Sequence, residues 1–137
     1  MGEFKKVDTL QKERVFMIDT VFDRLSAEIF LNNKAKGFWD DAVVLGTPTG
    51  EDFVPTLRNT GELIALMHSE LSEALEAHRK DTMDDHLPQY KGVYVELADT
   101  LIRILDYCGA HDVPIGQIIR EKIEYNKKRP YKHGKKF

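Results

Sequence analysis

Four acidic residues in two short motifs are the side chains of this sequence that most directly suggest chemistry. Glu70 and Glu73 form a Glu-x-x-Glu motif in "SELSEALEA", residues 69–77, and Glu96 and Asp99 form a Glu-x-x-Asp motif in "ELADTLIR", residues 96–103. Residues three apart share one face of a helix, with Cβ atoms about 5–6 Å apart. On two facing antiparallel helices, these pairs would form a cage of four carboxylates.

Glu70 lies on the apolar side of its helical pattern, where a carboxylate is costly. At about 100° per residue, Glu70 falls inside an apolar stripe and Glu73 lies on its margin; the stripe consists of Leu63, Leu66, Met67, Leu71, Ala74 and Leu75. A buried carboxylate is tolerated when it is paired, protonated or bound to a cation. Glu96 and Asp99 lie off the apolar arc of their own pattern, and alone they would be interpreted as a solvated face.

A set of carboxylate oxygens favours hard cations such as Mg²⁺ or Mn²⁺ over zinc or copper. A di-iron bundle would instead use Glu-x-x-His motifs, and none of the five histidines has a glutamate three residues before it. Mg²⁺ usually accompanies a polyphosphate. Lys122, Asn126 and Arg129, which follow one another along one face of the last helical pattern, are therefore candidate phosphate or sugar ligands.

Four helical patterns position these groups, and no strand pattern is convincing. Apolar periodicity and turn residues predict helices over roughly 8–32, 58–80 and 91–108, and a fourth from the "HDVPIG" segment to about 128. Asn59 or Thr60 is expected to cap the second helix, Gly109 to end the third and Asp112 to cap the fourth. The first helix is apolar on two sides, which in so short a chain suggests a subunit contact.

Residues 33–57 are predicted to form a long loop, and such loops are often functional. The sole tryptophan, Trp39, lies there beside Phe38, and two interpretations stay open. The indole either stacks on a nucleobase or fills one end of the helical bundle. Lys36 is a weaker candidate for substrate binding.

Composition places the chain among ordinary globular proteins. Its 137 residues are enough for one domain, predicted here as 1–137, with 42% hydrophobic and 31% charged residues. There is no run long enough to span a bilayer and no signal-peptide pattern, so a cytoplasmic protein without membrane contact is expected. The basic tail, residues 127–137, is either a solvated terminus or a clamp for a polyanion. The acidic remainder argues against nucleic-acid binding.

Three segments together resemble a known family. "SELSEALEAHRK", "ELADTLIRILDYCG" and "EKIEYNKKRPYKHGKKF" are similar to the MazG-like nucleoside triphosphate pyrophosphohydrolases of the all-α NTP pyrophosphatase group, over roughly residues 56–137. The resemblance implies an all-α fold of the four-helix-bundle type, completed by assembly into a homodimer or homotetramer. It also implies Mg²⁺-dependent hydrolysis of a nucleoside triphosphate to the monophosphate and pyrophosphate, with cleansing of the nucleotide pool as one use.

The resemblance also assigns residues. Glu70, Glu73, Glu96 and Asp99 would hold Mg²⁺, with Mn²⁺ as a substitute, while Lys122, Asn126 and, more loosely, Arg129 would lie near the phosphates and sugar. The choice of base rests on position and not on the resemblance: Glu73, at the margin of its stripe, is the favoured carboxylate for deprotonating water, with Glu70 as the other catalytic candidate. Arg103 stands where some relatives carry a tyrosine that contacts the sugar, so base and sugar preference does not carry over.

Two other functions compete with this reading. The scaffold could serve as a non-catalytic module that senses a nucleotide or binds another protein, although a complete set of four carboxylates argues against that. A related enzyme acting on a phosphoribosyl-nucleotide is the second alternative. The first helix and the loop that follows it make that second alternative the weaker one.

Overall fold

The computed structural model describes the backbone of residues 2–40 and 58–130, and the side chains within these ranges from residue 17 onward. They form α1 (Gly2–Ala35), α2 (Thr60–Lys80), α3 (Gly92–Ala110) and α4 (Ile115–Lys127). Within the described ranges the extended structure is limited to one bridge, between Met83 and Lys91. The predicted all-α class is confirmed.

The chain groups into two compact units. One combines α1 up to Leu25 with the segment from Pro114 that contains α4, and the other runs from Ser26 to Val113. Most of the predicted loop and tail, residues 41–57 and 131–137, lies outside the described residues. In the part of the chain that is described, no helix combines the length and apolarity that a membrane crossing requires.

The N-terminus of α2 follows the predicted capping pattern. Asn59 is the N-cap residue, and its side-chain oxygen accepts a hydrogen bond from the backbone N–H of Glu62 at 3.2 Å. This bond satisfies one of the N–H groups that the first turn of a helix leaves without an intrahelical partner. Of the two predicted caps, Asn59 and Thr60, Asn59 is confirmed, and the helix begins at Thr60 rather than at about residue 58.

A structured connection returns the chain from α2 to α3. Asp81 adopts a left-handed conformation, with a φ of 50°, and Asp84 accepts hydrogen bonds from the backbone of His86 and Leu87. Gly92 lies against Ala77 near the end of α2. Since Glu70, further back on α2, meets Arg103, further along α3, the two helices are antiparallel.

Gly109 does not end α3, contrary to the prediction, because the helix continues to Ala110. Its role is close packing: a Cβ atom at Gly109 would overlap the backbone of Ser26 and the Cβ of Phe30 on α1. Glycine thus lets two backbones approach closely. From the sequence alone Gly109 was interpreted as a helix breaker, but its role depends on the position of α1, which the sequence pattern does not give.

The start of α4 also differs from the prediction. Asp112 has a φ of 51° and does not cap the helix, which begins at Ile115 after Pro114. Instead, Asp23 of α1 accepts a hydrogen bond from the N–H of Gly116 at 3.3 Å. Arg120 donates to both carboxylate oxygens of Asp19, at 3.2 Å each. The Asp23 carboxylate of α1 therefore supplies the contact that a local cap would have made.

The apolar faces of α2 and α3 are more exposed than the helical patterns predicted. The interior of the second unit contains Trp39, Leu63 and Ala110, flanked by Phe30, Leu66 and Tyr107. Four leucines that were predicted to face the core are about half exposed: Leu71, Leu75, Leu97 and Leu101. The buried residues of α2 are Leu63, Glu70 and Ala74, so the helix packs through one edge of the predicted stripe and leaves Leu71 and Leu75 on the outside.

Candidate functional site

Three of the four predicted carboxylates converge between α2 and α3. One oxygen each from Glu70, Glu96 and Asp99 lies within 4.8 Å of the other two. Glu70 is only 7% exposed, which confirms the burial predicted from its place in the apolar stripe. Antiparallel packing places its turn of α2 opposite the Glu-x-x-Asp turn of α3.

The charges in this acidic cluster (Glu70, Glu96 and Asp99) repel one another. Burial raises the pKa of Glu96, and the negative charges of Glu73, Asp99 and Glu70 raise it further. Burial likewise raises the pKa of Asp99, with Glu70 adding to the effect and Arg103 opposing it. Carboxylates that share a site in this way bind protons or cations more readily than isolated ones.

Glu73 occupies a different position from the other three. Its side chain is exposed, and it does not belong to the set of mutually close oxygens. Its charge nevertheless acts on Glu96. Its assignment as a metal ligand and as the base stays a prediction.

Arg103 forms an ion pair with the cluster, a role that was not predicted from the sequence. Its Nε donates to Glu70 Oε1 at 2.5 Å; the Glu70 side chain is 9% exposed and the Arg103 side chain 42%. The helical spacing offered a signal, since Arg103 lies one turn beyond Asp99 on the same face. This ion pair connects the acidic cluster to the adjacent cleft.

The cleft has a volume of about 520 Å³ and lies wholly within the second unit. Its walls combine apolar, aromatic and charged side chains: Asn33, Phe38, Trp39, Arg58, Leu63, Leu66, Glu70, Asp99, Ile102, Arg103, Asp106 and Tyr107. Its volume falls within the range of known small-molecule sites. Two of the three members of the acidic cluster, Glu70 and Asp99, form part of the wall.

Trp39 is buried, with 2% of its surface exposed. Its Nε1 donates to both oxygens of Asp106, at 3.1 and 3.2 Å, and its ring meets Phe30 edge to face at 5.6 Å. The guanidinium of Arg58 lies 4.9 Å from the indole centroid. This placement favours the interpretation of Trp39 as an aromatic residue that fills the interior over its use as an open stacking platform.

Two wall residues, Asp106 and Arg58, were missed by the sequence analysis. Burial raises the pKa of Asp106, while hydrogen bonds from Asn33 and Trp39 lower it. Arg58 donates to the carbonyl of Phe38 at 2.8 Å. No pattern marks Arg58, which precedes α2, because its role depends on where residues 38–39 fold back.

The remaining predicted ligands are exposed. Lys36 follows the end of α1. Lys122 and Asn126 lie on α4 and Arg129 just beyond it, in the first unit. The ammonium of Lys122 lies 4.7 Å from the ring centroid of Tyr125. Their contribution to a phosphate site stays a prediction.

The donor atoms of the cluster fit a hard divalent cation. All three are carboxylate oxygens, the ligand type that Mg²⁺ and Mn²⁺ prefer. Adjacent ligands of an octahedral Mg²⁺ are about 2.9 Å apart and opposite ones about 4.2 Å, so the three oxygens, which lie within 4.8 Å of one another, would move closer together to bind one ion. Glu70, Glu96 and Asp99 are therefore the residues that would hold such an ion.

Comparisons with family models, with curated proteins and with solved structures give no match to this chain.

Proposed function

We propose that this protein is a Mg²⁺-dependent pyrophosphohydrolase that converts a nucleoside triphosphate to its monophosphate and pyrophosphate. The observation that carries the proposal is the convergence of Glu70, Glu96 and Asp99 within 4.8 Å beside a cleft. The family resemblance of the two acidic motifs supports it. The cleft has room for a small molecule, and the cluster provides ligands for the cation that accompanies a polyphosphate.

The carboxylates of α2 and α3 have distinct tasks in this proposal. Glu70, Glu96 and Asp99 hold the divalent cation, which when bound neutralises phosphate charge and acidifies a coordinated water. Glu73, exposed at the margin of the cluster, accepts the proton from the attacking water. The repulsion that raises the pKa of Glu96 also favours cation uptake, because a divalent ion offsets it.

The cleft walls supply groups suited to the rest of the substrate. Arg58 and Arg103 lie on the cleft wall together with Glu70 and Asp99, and guanidinium groups bind phosphate oxygens with directional hydrogen bonds. Apolar and aromatic neighbours such as Ile102 and Tyr107 suit a nucleoside. The resemblance also implies that Lys122, Asn126 and Arg129 contact the phosphates and sugar, and this assignment stays a prediction.

The exposed leucines of α2 and α3, together with Met17 and Val21 of α1, support assembly into a homodimer or homotetramer. Met17 is 63% and Val21 56% exposed, and large exposed apolar surfaces commonly mark protein contacts. In this proposal the protein is also a cytoplasmic enzyme that cleanses the nucleotide pool.

One observation favours the alternative of a non-catalytic module. Arg103 already neutralises Glu70 in an ion pair, and a scaffold that only senses a nucleotide could dispense with a metal in this way. Turnover separates the two functions. We therefore expect Mg²⁺-dependent release of pyrophosphate and monophosphate in a panel of ribo- and deoxyribonucleoside triphosphates. Nucleotide binding without turnover across the whole panel would reject the enzymatic proposal in favour of the sensor.

A further inference from the structure

The two partners of the Glu70–Arg103 ion pair differ in their exposure to water. Glu70 is buried, and a buried carboxylate without a cation or donor is strongly unfavourable. Arg103 is 42% exposed, so water can solvate its charge once it leaves Glu70. Glu70 therefore requires a cationic partner, whereas Arg103 can exchange one.

The same carboxylate is also a candidate ligand for a divalent cation. Arg103 Nε approaches Glu70 Oε1 to 2.5 Å, and Glu70 contributes to the acidic cluster with Glu96 and Asp99. A short charge-assisted hydrogen bond takes one of the about four lone-pair sites of this carboxylate and draws on the negative charge that would attract a metal. A guanidinium at this distance also repels an incoming cation. The Arg103 guanidinium and a divalent cation therefore weaken each other's binding to Glu70.

The rest of the Arg103 guanidinium is available to a ligand. Only Nε donates to Glu70, and within the described residues neither terminal nitrogen has a hydrogen-bond partner. Arg103 forms part of the cleft wall together with Arg58. The terminal nitrogens can therefore bind an anionic group in the cleft.

We propose that Arg103 and the divalent cation compete for Glu70, and that cation binding shifts the guanidinium to an anionic group of the ligand. The identity of that ligand, a nucleoside triphosphate, rests on the proposed function, whereas the competition depends only on the side chains described here. Arg103 is thus a positioning residue that couples the two binding events. By linkage, the cation strengthens ligand binding by the same factor by which the ligand strengthens cation binding.

Titration of the protein with Mn²⁺ alone, followed by calorimetry and by the electron paramagnetic resonance of free Mn²⁺, tests the competition. Removing the competing charge in Arg103→Gln should tighten Mn²⁺ binding about tenfold, the scale of one charge-assisted hydrogen bond. Arg103→Lys keeps the charge and should bind Mn²⁺ nearly as the parent does. Arg79→Gln, which removes an exposed charge near the end of α2, is the matched control and should change nothing.

A second measurement separates coupling from a merely structural role. In the presence of Mn²⁺, Arg103→Gln should bind a triphosphate with a non-hydrolysable α–β linkage more weakly than the parent, although it binds Mn²⁺ more tightly. A structural defect would weaken the binding of both Mn²⁺ and the triphosphate. Arg103→Met keeps the apolar stem and serves as the test variant if Arg103→Gln loses the helical circular dichroism of the parent.

The outcomes distinguish this inference from the proposed function. If the charge-removing variant, Arg103→Gln or Arg103→Met, binds Mn²⁺ no more tightly than the parent does, the competition is overturned. This holds even if the parent hydrolyses nucleotides. Tighter Mn²⁺ binding supports the competition, even if the parent hydrolyses no nucleotide, and in that case only the proposed function fails.

Discussion

The indole nitrogen of Trp39 donates to both carboxylate oxygens of Asp106, at 3.1 and 3.2 Å, and so ties the segment after α1 to the middle of α3. Trp39→Phe removes this donor and leaves the half-buried carboxylate with one partner fewer. We expect the free energy of unfolding to fall by about 2 kcal/mol. Urea denaturation followed by far-ultraviolet circular dichroism measures this loss without relying on tryptophan fluorescence.

Phe38→Leu is the control for this substitution, because Phe38 is adjacent in sequence and 65% exposed. Its effect should stay within about 0.5 kcal/mol of zero, as for most surface changes. Equal stability of Trp39→Phe and the parent would show that the bond to Asp106 does not stabilise the fold.

Gly109 provides a test of the close approach between α1 and α3. In Gly109→Ala the new methyl group overlaps the backbone of Ser26, and we expect a loss of about 2 kcal/mol despite the better helix propensity of alanine. Gly61→Ala, also helical, meets only the capping side-chain oxygen of Asn59, at 3.1 Å, and should change stability by less than about 1 kcal/mol. Thermal unfolding compares the two variants, and a Gly109→Ala protein at least as stable as the parent would refute this contact.

The helix pattern and the α2 cap could be predicted because they depend on residues close in sequence, such as Asn59 and Glu62. The burial of Glu70 followed from its neighbours one turn away. The roles of Gly109 and Arg58 could not be predicted, because each depends on a segment distant in sequence. The Arg103–Glu70 pair required the register between α2 and α3, which periodicity alone does not fix.

The raised pKa of Glu96 predicts a specific dependence of stability on pH. A carboxyl group with a higher pKa in the folded state binds its proton more tightly there, so its contribution to stability falls as pH rises through that pKa. Glu96→Gln removes this pH-dependent loss of stability and relieves the charge repulsion on Glu70 and Asp99. In a chelator-containing buffer, the stability of the variant relative to the parent should therefore increase from about pH 4 to pH 7.

Glu76→Gln is the control for this pH dependence. Glu76 is exposed and pairs with Lys80, whose hydrogen bond and charge lower the pKa of Glu76. The difference in stability between Glu76→Gln and the parent should be nearly independent of pH, or should fall slightly as pH rises. Parallel pH profiles for Glu96→Gln and the parent would contradict the repulsion described for the acidic cluster.

Removal of divalent cations should lower the melting temperature of the parent. An ion that binds only the folded state stabilises it by mass action, by about 2.7 kcal/mol at a concentration a hundred times its dissociation constant. Asp99→Asn removes one proposed ligand and should diminish the shift between Mg²⁺ and chelator, whereas Glu76→Gln should retain it. Differential scanning fluorimetry measures both, and equal shifts in the two variants would place the ion elsewhere.

The most direct test of the proposed function is the Mg²⁺-dependent rate of pyrophosphate release by Glu96→Gln and Glu76→Gln. Both variants replace one glutamate by an amide, but only Glu96 belongs to the acidic cluster. We expect Glu96→Gln to lose activity on the order of 100-fold, as when one electrostatic contact to a transition state is removed, and Glu76→Gln to match the parent. A folded Glu96→Gln protein that releases pyrophosphate at the parental rate would contradict catalysis at this cluster.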